Sequence, residues 1–171
     1  MSEVVVPLGS ALAIAGGALG LAGGLIGSTL GIRSAGSAGV SVLSEDPTYF
    51  RQVIVLAALP MTQTFYGFIV LFYVLYFVVP TMKGLTFTQS TVLGWSILAI
   101  GAAVFVGELF SAWYQGVICA NGISQLPKTR GAIMTNAFIL AVYEEFFGIL
   151  AMVFALLAIM LAQSLIPSII S

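Results

Sequence analysis

Four apolar runs, near residues 5–43, 51–79, 88–123 and 131–167, are each long enough to cross about 30 Å of hydrocarbon at roughly 1.5 Å of rise per residue. In lipid, backbone N–H and C=O groups find no water, so runs of this length satisfy themselves as helices. Charged residues make up 6% of the chain. A soluble domain carries about 25%, so this chain has too few charges to coat a water-facing surface. The expected fold is all-α and integral to a membrane, a single domain over residues 1–171. The net charge of −1 argues against nucleic-acid binding, which needs a basic stripe. One cysteine, Cys119, excludes an internal disulfide and a thiolate metal cluster, and reads as a small buried apolar residue.

The connecting segments are short and polar: SEDPTYFR (44–51), PTMKGLTFTQ (80–89) and SQLPKTRG (124–131). Arg33, Arg51, Lys128 and Arg130 flank the first and third, whereas the second loop and the termini together hold only Lys83. That excess places loops one and three in the cytoplasm and both termini outside. The start, MSEVVVPLG, has no positively charged leader or evident cleavage site, so the first span is expected to stay in the protein.

The chain repeats itself. With a shift of 81 residues TQTFYGFIV (62–70) lies on YEEFFGILA (143–151), so that Phe65 meets Phe146, Gly67 meets Gly148 and Gln63 meets Glu144. SEDP (44–47) and SQLP (124–127) match with a shift of 80. The spans therefore read as two duplicated hairpins, about 5–79 and 88–167. Span one carries GGALGLAGGLIGSTLG (16–31), in which Gly16, Gly20 and Gly24, and again Gly23, Gly27 and Gly31, recur every four residues. Such ridges let helices approach closely in lipid, and they suit a crowded inner wall in a ring of identical subunits. No Gly-Lys-Ser/Thr follows, so no phosphate loop is present.

The last span places two carboxylates side by side in AVYEEFFGIL (141–150). At a bilayer centre each costs roughly 2.5–3.5 kcal/mol on insertion scales. Counting from the cytoplasmic loops, Gln63 is 12 residues from Arg51, Gln115 is 13 before Lys128 and Glu144 is 14 after Arg130. At about 1.5 Å per residue all three share one level. In span two Leu59, Thr62, Gln63 and Tyr66 form one helical stripe, and Pro60 disturbs the backbone ladder beside them, which can leave carbonyls available. A carbonyl, a hydroxyl, amide oxygens, a phenol and one carboxylate make an oxygen-rich set with a single formal charge, suited to a small hard monovalent cation. The same groups also read as an interhelical hydrogen-bond network that serves assembly.

These motifs carry a resemblance. The glycine-rich span one, LPMTQTFYGF (59–68), LFSAWYQG (109–116) and the acidic fourth span resemble the proteolipid rotor-ring subunit of V-type (vacuolar/archaeal-type) rotary ATPases in its duplicated four-helix form, and most closely the bacterial sodium-pumping members. The resemblance implies a sodium site made by the Leu59 carbonyl, the Thr62 hydroxyl, the amide oxygens of Gln63 and Gln115, and Glu144, with Tyr66 donating to the Glu144 carboxylate. It implies partners as well: identical subunits in a ring, a stator membrane subunit with an essential Arg, central-stalk subunits at loops 44–51 and 124–131, an ATP-hydrolysing head, and membrane lipid. The implied location is the bacterial plasma membrane. Gln63 stands where the repeat would put a second carboxylate, so four helices carry one ion.

Glu108 and Glu145 depart from the sodium-pumping pattern. Adjacent helical residues point about 100° apart, so with Glu144 in the site Glu145 points off it. Glu108, seven residues before Gln115, lies on the same helix face about 10 Å further outward. Either acid lines an exit path, bonds a neighbouring subunit or stays protonated. The chain contains no nucleotide motif, so no catalytic chemistry is assigned to it. Three other readings stand beside the sodium ring: the same ring carrying protons, a self-contained cation-coupled secondary transporter, and a structural oligomer. An even number of spans per repeat makes the repeat parallel, which weakens the transporter reading.

Overall fold

The computed structural model describes residues 7–169, and every long element among them is helical. Residues 1–6, on which the reading of the N-terminal leader rests, lie outside the described residues. Span one is Leu8–Glu45, span two Pro47–Gly84, span three Phe87–Thr129 and span four Met134–Ile169. All four are long and apolar enough to cross a membrane, and large side chains such as Phe65, Phe68, Phe147, Phe154 and Leu157 stand exposed on the bundle surface. In water such a surface is a liability, whereas against lipid it is solvated.

The helices run further into the polar segments than the sequence suggests, because local chemistry sets where each one stops. Asp46 interrupts the first turn: its Oδ1 accepts from the Thr48 N–H at 2.9 Å and from the Thr48 hydroxyl at 2.6 Å, and Pro47 then opens a 3-10 turn. Span three begins with a capping box in which Thr86 and Gln89 bond each other reciprocally. It ends where Arg130 turns left-handed at φ 50°, followed by Gly131 at φ 82°. Pro127 is accommodated inside its last turn. The match of SEDP with SQLP therefore does not hold as a pair of loops: the first marks a break, the second is helical.

Span two is helical throughout but not uniformly α. An α-helix over Phe50–Ala58 gives way to a 3-10 turn at Leu59–Met61, returns to α over Thr62–Tyr73 and loosens to a π-helix at Val74–Val78. Pro60, which has no N–H to offer, sits in the tightened turn.

Spans one and three lie against each other along most of their length, and glycine makes that possible. A Cβ on Gly101 would stand 2.0 Å from the Gly16 carbonyl oxygen, and one on Gly116 would stand 2.1 Å from the Gly31 Cα. Gly94 meets Gly9 in the same way, so the three pairs share one separation of 85 residues. The small-residue ridge thus packs span one on span three, and through Gly24 on span two, inside a single chain. Two apolar clusters fill the bundle. One holds Val70, Val74, Leu93, Ile97, Val104 and Ile159, the other Val53, Leu56, Cys119, Ile123, Leu126 and Ala141. Between them lies a buried polar layer of Gln63, Glu108, Ser111 and Gln115.

Candidate functional site

Each side chain of this layer is set by its helix. The tight turn at Pro60 hands span two to the α-helix that starts at Thr62, and from there Gln63 points inward and is fully buried while Thr62 and Tyr66 flank it half-buried. Span three contributes Glu108, Ser111 and Gln115 at i, i+3 and i+7, one inward stripe. Span four contributes an acid one turn beyond the buried Ala141.

That acid is Glu145. Its Oε2 accepts from the Thr62 hydroxyl at 2.7 Å, from Gln115 Nε2 at 2.8 Å and from Gln63 Nε2 at 3.3 Å, and its Oε1 accepts from the Tyr66 hydroxyl. Around it the groups interlock. Gln63 Nε2 lies 3.2 Å from Gln115 Oε1 and 3.1 Å from Ser111 Oγ, Gln115 Nε2 also donates to the Ala141 carbonyl at 3.1 Å, and the Thr62 hydroxyl lies 3.1 Å from the Leu59 carbonyl. A carboxylate with donors on both oxygens is held in one fixed orientation.

Sequence spacing puts Glu144 in this position and turns Glu145 away; the structure places the two the other way round. Glu144 is half-buried, its carboxylate makes no hydrogen bond among the described residues, and only its backbone carbonyl is engaged, by Ser111 Oγ. Counting from the loops fixes the level correctly, since one residue changes depth by only about 1.5 Å. The same residue changes direction by about 100°, and the shift of 81 does not carry direction. Leu59, Thr62, Gln63, Tyr66 and Gln115 are all brought together where the stripe and the shared depth put them. Glu108 is nearer than its helical spacing suggests: a Cβ on Gly148 would stand 3.1 Å from its Oε2, from Ser111 Oγ and from Gln63 Cγ alike. Ser111 is the member that sequence reasoning misses, although its spacing between Glu108 and Gln115 is a readable signal.

As a chemical object the site is a half-buried carboxylate in mid-span, surrounded by hydroxyl and amide groups from two other helices. Each neighbour carries an oxygen as well as a donor, so the set can hold the carboxylate alone or a small cation on it.

Comparison with known proteins gives a concordant result. The profile of the family described as the C subunit of ATP synthase matches the chain twice, over residues 8–74 and 98–158, once in each hairpin. The chain is 32% identical over 152 residues to the A-type ATP synthase subunit K of Methanocaldococcus jannaschii, a match that takes in 89% of this chain and 59% of that protein. It is 30% identical over 133 residues to the V-type sodium ATPase subunit K of Enterococcus hirae, taking in 78% of this chain and 80% of the relative. The chain therefore spans less than two thirds of the length of the first of these relatives.

Proposed function

Because the chain belongs to the family of the ATP synthase C subunits, we propose that it is the ion-carrying rotor-ring subunit of a V-type rotary ATPase, moving sodium across a membrane as the ring turns. The observation that carries the reading is the Glu145 carboxylate held in mid-span by Thr62, Gln63, Tyr66 and Gln115. Sodium as the cargo is supported by the oxygen content of that set and by the name of the Enterococcus relative.

In this mechanism Glu145 carries one cation per subunit. A loaded site is nearly neutral and passes along the lipid face, whereas an empty, ionised Glu145 bears the full cost of a charge in hydrocarbon. Loading and unloading are thereby confined to the contact with a stator, where an essential Arg meets the carboxylate. Ligation uses oxygens, so the Gln63 and Gln115 amides rotate to present Oε1 to the ion, with the Thr62 hydroxyl and the Leu59 carbonyl beside them. Tyr66 keeps its bond to Oε1 and steadies the carboxylate. Family members assemble as rings with other ATPase subunits. Here the central stalk is assigned to the segments 44–51 and 124–131, on the cytoplasmic side of a bacterial plasma membrane.

Glu145→Gln is expected to abolish ion transport and ion-coupled ATP hydrolysis in the assembled complex while the ring still forms. Glu144→Gln is expected to keep substantial activity. The reverse outcome, measured as sodium uptake into vesicles, sinks the assignment of Glu145.

A further inference from the structure

Ser111 has a single hydrogen to give, and that hydrogen is already committed. Its side chain is 2% exposed, and Oγ donates to the Glu144 backbone carbonyl at 2.5 Å. A carbonyl only accepts and a hydroxyl carries one hydrogen, so Ser111 Oγ can meet Gln63 only as an acceptor. The orientation of an amide follows from the network around it, and this network turns Gln63 Nε2 toward Ser111, at 3.1 Å. Gln63 Oε1 is left on the other side, 3.2 Å from the Thr62 hydroxyl that itself reaches Glu145. Gln115 is settled in a similar way, since its Nε2 donates to the Ala141 carbonyl at 3.1 Å. Ala141 and Glu144 are three residues apart and neighbours on one helix face. The backbone of span four thus receives both amides, Gln115 directly and Gln63 through Ser111.

Gln63 Nε2 has three acceptors within reach: Ser111 Oγ at 3.1 Å, Gln115 Oε1 at 3.2 Å and Glu145 Oε2 at 3.3 Å. A cation on Glu145 claims two of them, because the carboxylate and the Gln115 amide oxygen both turn to the ion. Ser111 Oγ, with its hydrogen tied to span four, is the acceptor that remains. We propose that Ser111 is a positioning residue for the cation: it relays the Glu144 carbonyl to Gln63 and keeps Nε2 turned away from Glu145, so that Oε1 faces the ion. Without that hydroxyl, a bound ion leaves a fully buried amide N–H short of a partner, a defect that weakens binding about tenfold or more. The proposal rests on the sodium-carrying reading of the site and deepens it.

The test uses the purified ring in mild detergent. It measures the sodium concentration that halves carbodiimide labelling of Glu145, each variant being compared with its own sodium-free rate. Ser111→Ala is expected to need at least about ten times more sodium than the wild type. Adding Ser111→Ala to Gln63→Ala is expected to change nothing further, because the N–H that Ser111 serves is already gone. A serine that only ties span three to span four gives another pattern. Rings then melt earlier while the half-protecting sodium concentration stays at the wild-type value, or the two substitutions add in full. Either result overturns the proposal. Should Ser111→Ala not assemble, Ser111→Cys keeps a small side chain and replaces the oxygen with a weak acceptor: a raised sodium requirement supports the proposal, and an unchanged one overturns it. Wild-type labelling that ignores sodium sinks the sodium reading and this proposal together. Wild-type protection that Ser111→Ala leaves intact sinks the proposal alone.

Discussion

At the scale of residues, the site is a division of labour around one carboxylate. Thr62, Gln63 and Gln115 crowd onto Glu145 Oε2, and among the described residues Tyr66 alone holds Oε1. A hydrogen bond to a charged group contributes about 1.5–3 kcal/mol, and each 1.4 kcal/mol is about tenfold in affinity. Tyr66→Phe, which keeps the ring and removes the hydroxyl, is therefore expected to weaken cation binding at least tenfold. Carbodiimide labelling of Glu145 reports it, since the reagent attacks the protonated acid and a bound cation favours the ionised one. Sodium is expected to slow labelling at neutral pH, and an equal concentration of potassium to do little. Tyr66→Phe and Gln115→Ala are expected to need about ten times more sodium for the same protection. Protection that follows pH and ignores sodium marks a proton carrier in the same ring.

At the scale of elements, the glycines decide what can approach what. Alanine is better than glycine in an isolated helix by about 1 kcal/mol, yet Gly101→Ala places a carbon 2.0 Å from a backbone oxygen that cannot give way. Overpacking of this kind costs roughly 1–3 kcal/mol or more, so Gly101→Ala is expected to lower the thermal midpoint of the protein and to deplete its high-mass oligomer. Gly36, with nothing within 4 Å of an added Cβ, is the matched control, and Gly36→Ala is expected to be neutral or stabilising in the same melting experiment.

The elements also explain what is legible in advance. The four spans, the shared depth of Gln63 and Gln115 and the stripe from Leu59 to Tyr66 follow from length, composition and helical spacing, which one sequence contains. The choice between Glu144 and Glu145 does not. The glycine contacts of spans one and three are 85 residues apart, while Gln63 and the acid it bonds are 82 apart. Contact partners do not share one separation along the chain, so no single shift read from the sequence carries both. The 3-10 turn at Leu59–Met61 compounds this by advancing the helix at about three residues per turn in place of 3.6. Ser111 has the right spacing, but serine is common in such helices, and spacing alone does not single it out.

At the scale of the whole molecule, the polar layer ties spans two, three and four together at one level. Glu145 from span four is bonded by span two and span three at once, so an ion bound there draws on three helices. A ligand that binds only the folded form stabilises by about 2.7 kcal/mol at a hundred times its dissociation constant. Sodium at that excess is expected to raise the melting temperature of the wild-type ring, and Glu145→Gln to abolish the rise, as read by differential scanning fluorimetry against a potassium control.

The seam between spans one and three has a consequence for how the chain must be delivered. Gly9 with Gly94, Gly16 with Gly101 and Gly31 with Gly116 hold the hairpins together face to face, whereas the peptide joining them is the brief turn at Leu85 and Thr86. The linkage supplies proximity and the seam supplies fit. Two separately encoded hairpins, cut at that turn and made in the same cell, are expected to find each other and co-purify as one unit, and Gly101→Ala in the second piece to prevent it. Covalent continuity then guarantees stoichiometry: one acid-bearing half is issued with every half that carries Gln63, so in the proposed ring the spacing of ion stations would be written into the gene and not left to chance assembly.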